Sequence, residues 1–232
     1  DTWSVAAANW HAMARFVARA AGEPNMLLID VGSTTTDLVP IVQGMPCTQG
    51  HDDVSRLQAG ELVYTGVERT PVCALVESIP YRKQLCRLAA ELFATTLDVY
   101  LVLENLPESQ QVEHTGDGQV RSRSAARTRL ARMICADPEQ FSMADARVAA
   151  EWIAAAQGRL LADCLEQVMS RLGDQVQQVV VSGHGDFLAQ RALALAGLPL
   201  PVRLLTEEVG MVVSRSGPAH ALAVLATEEW VT

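Results

Sequence analysis

The chain has no C-x-x-C pair, and its five cysteines, Cys47, Cys73, Cys86, Cys135 and Cys164, are an odd number. That excludes a fully paired disulfide framework and a structural zinc spacing, and it predicts free thiols in a reducing cytoplasm, with Cys73 and Cys135 as inert core thiols. Positive charge is also short: 18 Lys and Arg stand against 27 Asp and Glu, for a formal net charge of -9. Tight nonspecific nucleic-acid binding needs clustered cations on phosphates, so nucleic acid is not an expected partner. The single basic cluster, Arg121, Arg123, Arg127, Arg129 and Arg132, reads as a solvated helix face, with an anionic-substrate patch as the alternative. No apolar run reaches a membrane span, and no basic-then-apolar leader opens the sequence. There is no short-period repeat and no low-complexity linker. The first residue is Asp1, which predicts a processed chain or the downstream part of a longer polypeptide.

What is present is a globular composition, 49% hydrophobic over 232 residues, enough for one large or two small domains. The most informative stretch is MLLIDVGSTTTDLVPI, residues 26–41. Two apolar runs separated by a short polar turn predict paired strands. Gly32 lets the backbone approach a ligand, and Gly32, Ser33, Thr34, Thr35 and Thr36 offer N–H and O–H donors to a phosphate. Asp30 and Asp37 bracket the turn as hard oxygen ligands suited to Mg²⁺ carried by a phosphorylated compound. The alternatives are a Thr-rich hairpin without a ligand and, for Asp37, a turn-capping role.

Residues 4–21 show helical periodicity, stopped by Gly22-Glu23-Pro24. Residues 44–53 read as a polar loop and 56–76 as short extended pieces. Helical periodicity returns over 81–103, with Leu85, Leu88, Leu92, Thr95 and Val99 on one face. A basic helix is expected at about 122–135, and Ser142 with Asp145 marks a capped helix running to Leu172 and ended by Gly173. A second compact signal follows: strand 177–182, the turn Gly183-His184-Gly185-Asp186, and a helix closed by Gly197. Strand, glycine turn and helix form a phosphate-compatible unit, in which a lone His184 either meets a phosphate or donates to a carbonyl. A strand over 201–205 and a final Ala-rich helix complete an α/β pattern with a helical insertion.

IDVGSTTTD, the later GHGD and the SGPAHA helix start resemble, in that order, the second phosphate loop, the adenosine loop and the second connecting helix of the actin, heat-shock chaperone and sugar-kinase superfamily. Within it, AANWHAMARFVA, GELVYTGVERTPVCAL, ELFATTLDVYLVL and RTRLARMICAD resemble the hydantoinase/oxoprolinase-related proteins of tetrahydromethanopterin-linked one-carbon metabolism. The resemblance implies an actin-like, ribonuclease H-like lobe with a mixed sheet. Residues 1–25 would be a connecting helix from a missing N-terminal lobe, residues 26–232 the second lobe, and about 81–173 its helical insertion. The implied activity belongs to methanofuran- or methylofuran-type cofactor synthesis. An aminomethylfuran-methyl group passes from its diphosphate to a phenolic acceptor, and diphosphate leaves.

For that chemistry the expected phosphate-binding residues are Gly32 to Thr36 with Gly183, His184 and Gly185, and the expected Mg²⁺ carboxylates are Asp30 and Asp37. A phenol, with a pKa near 10, needs a base. Glu61 is the first candidate and Asp98 the second, each weighed against a structural ion pair with Arg56, Arg69 or Arg87. Arg69 and Thr70 are candidates to grip a phosphate or carboxylate, and Trp10 and Tyr64 to stack on an aromatic ring. Two alternatives stay open: ATP-dependent chemistry, as a small-molecule kinase or hydantoinase-like ring opener, and a noncatalytic lobe or subunit, for which an apolar patch over residues 3–17 and 219–225 would speak. Oligomerisation is compatible with either.

Overall fold

The structure, a computed structural model, describes residues 9–20, 22–112, 115–210, 214 and 216–229. The chain divides into two compact units, residues 1–64 with 161–232, and residues 65–160. In chain order the first unit contains α1 (Asn9–Ala20), β1 (Met26–Val31), β2 (Thr36–Val42), β3 (Met45–Pro46), α2 (Asp53–Ala59) and β4 (Leu62–Val63). After the second unit come β7 (Gln178–Gly183), α6 (Asp186–Leu195), β8 (Val202–Leu204), α7 (Leu205–Val209) and α8 (Gly217–Glu229).

These strands build a mixed sheet in the order β3-β2-β1-β7-β8, with β4 also pairing β2. The predicted hairpin is present: β1 and β2 are antiparallel, with Leu28 opposite Val39 and Asp30 opposite Asp37. β7 runs parallel to β1, setting Val180 beside Leu28 and Ser182 beside Asp30. Because side chains alternate across a strand, Met26, Leu28, Val39, Ile41 and Val180 share one face. That face packs against Met13, Ala14 and Val17 of α1, Leu205 of α7 and Ala221 of α8. Asp30, Asp37 and Ser182 continue the same face beyond its apolar part. The apolar sides of α1 and α8 are thus spent on this core, and Leu222 is the one strongly exposed large hydrophobic in 9–17 and 219–225 among the described residues. Residues 3–8 of the considered patch lie outside the described residues.

Residues 53–59 form a helix where a loop and extended chain were expected. Asp52 caps it, accepting from the Ser55 N–H at 2.8 Å while the Ser55 hydroxyl accepts from the Asp52 N–H at 3.1 Å, and Gly60 closes it at φ 70°.

The second unit holds β5 (Ser78–Tyr81), β6 (Gln84–Arg87), α3 (Thr96–Val102), α4 (Arg123–Arg132) and the first part of α5 (Met143–Leu172), whose remainder belongs to the first unit. The helix expected over 81–103 is therefore mostly absent. Arg82 and Lys83 both take positive φ, 48° and 67°, the conformation of a two-residue hairpin turn, so Leu85 and Leu88 belong to a strand and its exit. The helix starts only at Thr96, where Asp98 accepts from the Thr95 N–H at 3.0 Å. Every residue of α3 is buried. Gln157 of α5 ties the unit together, accepting from the Tyr100 hydroxyl at 2.6 Å and donating to Thr65 Oγ1 at 2.8 Å and the Gly66 carbonyl at 2.9 Å.

The basic cluster is a solvated face only in part: Arg123 and Arg132 are 41% and 49% exposed, while the others turn inward. Arg129 is fully buried between Asp98 and Asp117, Arg121 pairs with Glu68 at 3.2 Å, and Arg127 donates to the carbonyls of Pro138 and Phe141. Composition showed the charges, but the carboxylates that pair with Arg121 and Arg129 lie 12 to 53 positions away. The cysteines are free as expected, although Cys135 is exposed rather than core.

Candidate functional site

The sheet register brings two turns side by side. β1 and β7 are parallel and end level, Val31 beside Gly183, so the Gly32–Thr35 turn and the Gly183–Gly185 turn both leave the carboxyl ends of adjacent strands. In open α/β sheets that is where ligands gather. The His184 N–H donates to the Val31 carbonyl at 3.1 Å, stitching the turns together. Gly183 makes the approach possible: it sits at φ 90°, and a Cβ there would lie 2.1 Å from the Val31 oxygen. Gly32 differs, since a Cβ would meet nothing closer than the Thr35 oxygen at 3.5 Å, so the fold itself does not require glycine there. The Gly32 N–H is already used within its turn, donating to the Thr35 carbonyl at 2.9 Å.

Beneath the turns lie Asp30 and Asp37, cross-strand partners on one face. Burial, and then the neighbouring Asp37 charge, push Asp30 up from the usual 3.8 to about 7, against a smaller opposing pull from the Ser182 hydroxyl. Burial raises Asp37 as well, while Arg56 holds it back. Arg56, on α2, is 1% exposed; its guanidinium pairs with Asp37 at 2.9 Å, donates to the Glu61 carbonyl at 3.0 Å and lies 4.2 Å from the Trp10 ring centroid. Two carboxylates with one guanidinium leave a deficit of one positive charge. A proton or a bound cation fills it.

Among the described residues no group of three or more His, Cys, Asp or Glu gathers into a metal cage. The Asp30–Asp37 pair instead fits the manner in which Mg²⁺ is held, by one or two carboxylates with the remaining positions left to water and substrate phosphate. Asp37, already engaged by Arg56, is the weaker of the two ligands.

The two carboxylates considered as bases are otherwise engaged. Glu61 is fully buried and accepts from the Gln49 N–H at 2.7 Å, the Gly50 N–H at 2.9 Å and Arg171 at 2.9 Å. Asp98, in the second unit, is buried against Arg129 at 2.6 Å. Both geometries match the ion-pair alternative, with partners other than those considered. Trp10 supports Arg56, and Tyr64 is 67% exposed. In the second unit Arg69 is exposed, whereas Thr70 is buried, its hydroxyl 3.0 Å from the Thr65 hydroxyl and accepting from the Gly66 N–H at 3.0 Å.

Arg56 and Ser182 are the residues that sequence reasoning missed in this role. Neither the short helix that carries Arg56 nor its aim at Asp37 was legible in the sequence.

A family model for hydantoinase/oxoprolinase matches residues 2–227. The chain belongs to the hydantoinase/oxoprolinase family. It is 32% identical over 221 residues to the (4-{4-[2-(gamma-L-glutamylamino)ethyl]phenoxymethyl}furan-2-yl)methanamine synthase of Methanocaldococcus jannaschii, a match covering 95% of this chain and 64% of that protein. To the synthase of the same name from Methanococcus vannielii it is 29% identical over 212 residues, covering 89% and 93%. The nucleotide-free acetone carboxylase is similar in structure with a TM-score of 0.46 at 17% identity, over 90% of this chain and 30% of that one. The hydantoinase/oxoprolinase resemblance read from the sequence is borne out by the family model and the two synthases. Among the described residues of this family member, no helix is long and apolar enough to cross a membrane.

Proposed function

We propose that this chain carries the diphosphate-binding part of an enzyme of methanofuran- or methylofuran-type cofactor synthesis. It would move an aminomethylfuran-methyl group from its diphosphate ester to the oxygen of a phenolic acceptor bearing a γ-glutamyl end. The observation that carries this reading is the buried Asp30–Asp37 pair, short of one positive charge, beneath two adjoining turns at the carboxyl ends of β1 and β7. The relatives support it, because their name describes a furan joined through a methylene to a phenol oxygen.

In the step, the bond between the furan-bearing carbon and the diphosphate oxygen breaks, and the electron pair leaves with diphosphate. The phenol oxygen bonds to that carbon, and its proton passes to the departing diphosphate, since Glu61 and Asp98 are committed elsewhere. Negative charge grows on the leaving group, where hydroxyls of Ser33, Thr34 and Thr35 and the Gly183–Gly185 turn supply donors. Mg²⁺, held by Asp30 with Asp37 behind it, would neutralise that charge. Arg56 fixes the Asp37 carboxylate and limits the pair's repulsion.

The chain spans 64% of the M. jannaschii relative and 93% of the M. vannielii one, and we propose that a further lobe of the kind the longer relative has room for completes the site. Residues 26–232 would be its actin-like, ribonuclease H-like counterpart with a helical insertion at about 81–173, and residues 1–25 would connect the two. The cytoplasm is the compartment that fits free thiols and such a substrate.

The test is diphosphate release from a synthetic aminomethylfuran-methyl diphosphate with a γ-glutamyltyramine acceptor, followed by mass spectrometry of the products. Release without ATP, together with an ether product, supports the proposal. ADP formation would replace it with the ATP-dependent kinase or hydantoinase-like ring opening that the family name keeps as the second reading.

A further inference from the structure

The second unit contains a polar cavity of about 420 Å³, lined among others by Asp117, Gln119, Ser122, Ser124, Thr128 and Arg132. Its volume suits a small ligand. Two opposite charges meet in it across a long ion pair: Arg132 donates to Asp117 Oδ2 at 3.4 Å, longer than the usual charge-assisted hydrogen bond. The other oxygen, Oδ1, is fully used by Arg129 at 3.0 Å and the Gln119 N–H at 3.1 Å. Asp117 is therefore held rigidly by its inner oxygen and presents its outer one. Arg132 is half exposed and, among the described residues, makes this one long contact with its five N–H groups. The Ser122 hydroxyl accepts from the Ala125 N–H at 3.2 Å and keeps its own proton to donate; Thr128 Oγ1 donates to the Ser124 carbonyl at 3.2 Å and keeps lone pairs to accept.

We propose that this cavity binds the α-amino acid end of a small molecule, with the ammonium group on Asp117 and Thr128 and the carboxylate on Arg132 and Ser122. A simple anion would satisfy Arg132 but face Asp117, and a simple amine would do the reverse. Only a group carrying both charges one carbon apart matches both. The site stands on its own geometry; the choice of a γ-glutamyl probe rests on the acceptor proposed above.

Calorimetric titration of the full chain with γ-L-glutamylethylamide, glutarate and butylamine tests it. The γ-glutamyl compound should bind saturably and about tenfold or more tightly than either control, and Arg132→Gln should lose about tenfold in affinity together with that preference. Thr128→Val should lose a smaller part while its circular dichroism stays that of the parent. Absence of saturable binding, equal binding of glutarate, or unchanged affinity in Arg132→Gln would overturn the site. ATP-independent diphosphate release without amino acid binding would sink this site and spare the transferase, and binding without transfer would do the opposite.

Discussion

Asp30 shows how one side chain joins stability to chemistry. Its folded-state pKa stands at about 7 against an ordinary 3.8, so between those values the folded protein holds the proton that the unfolded chain has lost. Stability from this group falls as pH rises from about 4 to about 7 and then levels off. Asp30→Asn should remove that share of the slope, visible in thermal melts from pH 4 to 8, while abolishing diphosphate release. Retained turnover in that variant would remove the metal role. Arg56 is the complementary case. Arg56→Leu leaves Asp37 buried without its counter-charge and should cost about 3–5 kcal/mol in urea unfolding. Arg56→Lys keeps the charge but loses the fork and the ring stacking, and should fall between the two. Nothing in the residue types announced this pairing, because Arg56 on α2 and Asp37 on β2 are 19 positions apart in number and meet only in the folded chain.

At the scale of elements, the glycine turns separate what the fold demands from what a ligand demands. Gly183→Ala would drive a methyl group into the Val31 carbonyl at a backbone angle hostile to side chains, and the β1–β7 ladder should loosen, with a loss of about 2 kcal/mol or more and faster amide exchange in both strands. Gly32→Ala has room and should fold almost as the parent does; weaker diphosphate binding in that variant would show that the ligand needs the bare backbone. The β1–β2 hairpin, the capped α5 and the strand-turn-helix of β7 and α6 were all legible, since each is specified by local periodicity with a cap or glycine at its end. The β5–β6 hairpin was not. Leu85, Leu88 and Leu92 happen to recur at helical spacing, and the Arg82-Lys83 turn uses residues that carry no turn signal of their own. The helical shape of 53–59 was hidden for another reason: seven residues are too few for periodicity to emerge.

For the molecule as a whole, the acidic balance of -9 and the buried, paired arginines leave positive charge scarce wherever a phosphate would bind. A diphosphate should therefore bind poorly alone and well with its cation. Magnesium and diphosphate together should raise the unfolding free energy by about 2.7 kcal/mol at a concentration a hundredfold above Kd, with each component alone giving far less. A differential scanning experiment over the four combinations reads this directly, and equal stabilisation by diphosphate alone would contradict it. The candidate site was legible as a list of residues around one turn. Its second half was less so, because only the parallel pairing of strands about 150 positions apart sets Gly183 next to Val31.

Asp30, Asp37 and Ser182 stand on the same face of the sheet as Leu28, Val39 and Val180, two positions along each strand. Both faces of these central strands are buried, so slipping β2 by a single position would carry Asp37 onto the opposite, hydrocarbon face beside Ile29, Val31 and Val181 and strip it from its place opposite Asp30. Mutational drift in this lineage therefore cannot misalign the reactive groups while keeping a sound interior. Any descendant that still folds inherits the alignment.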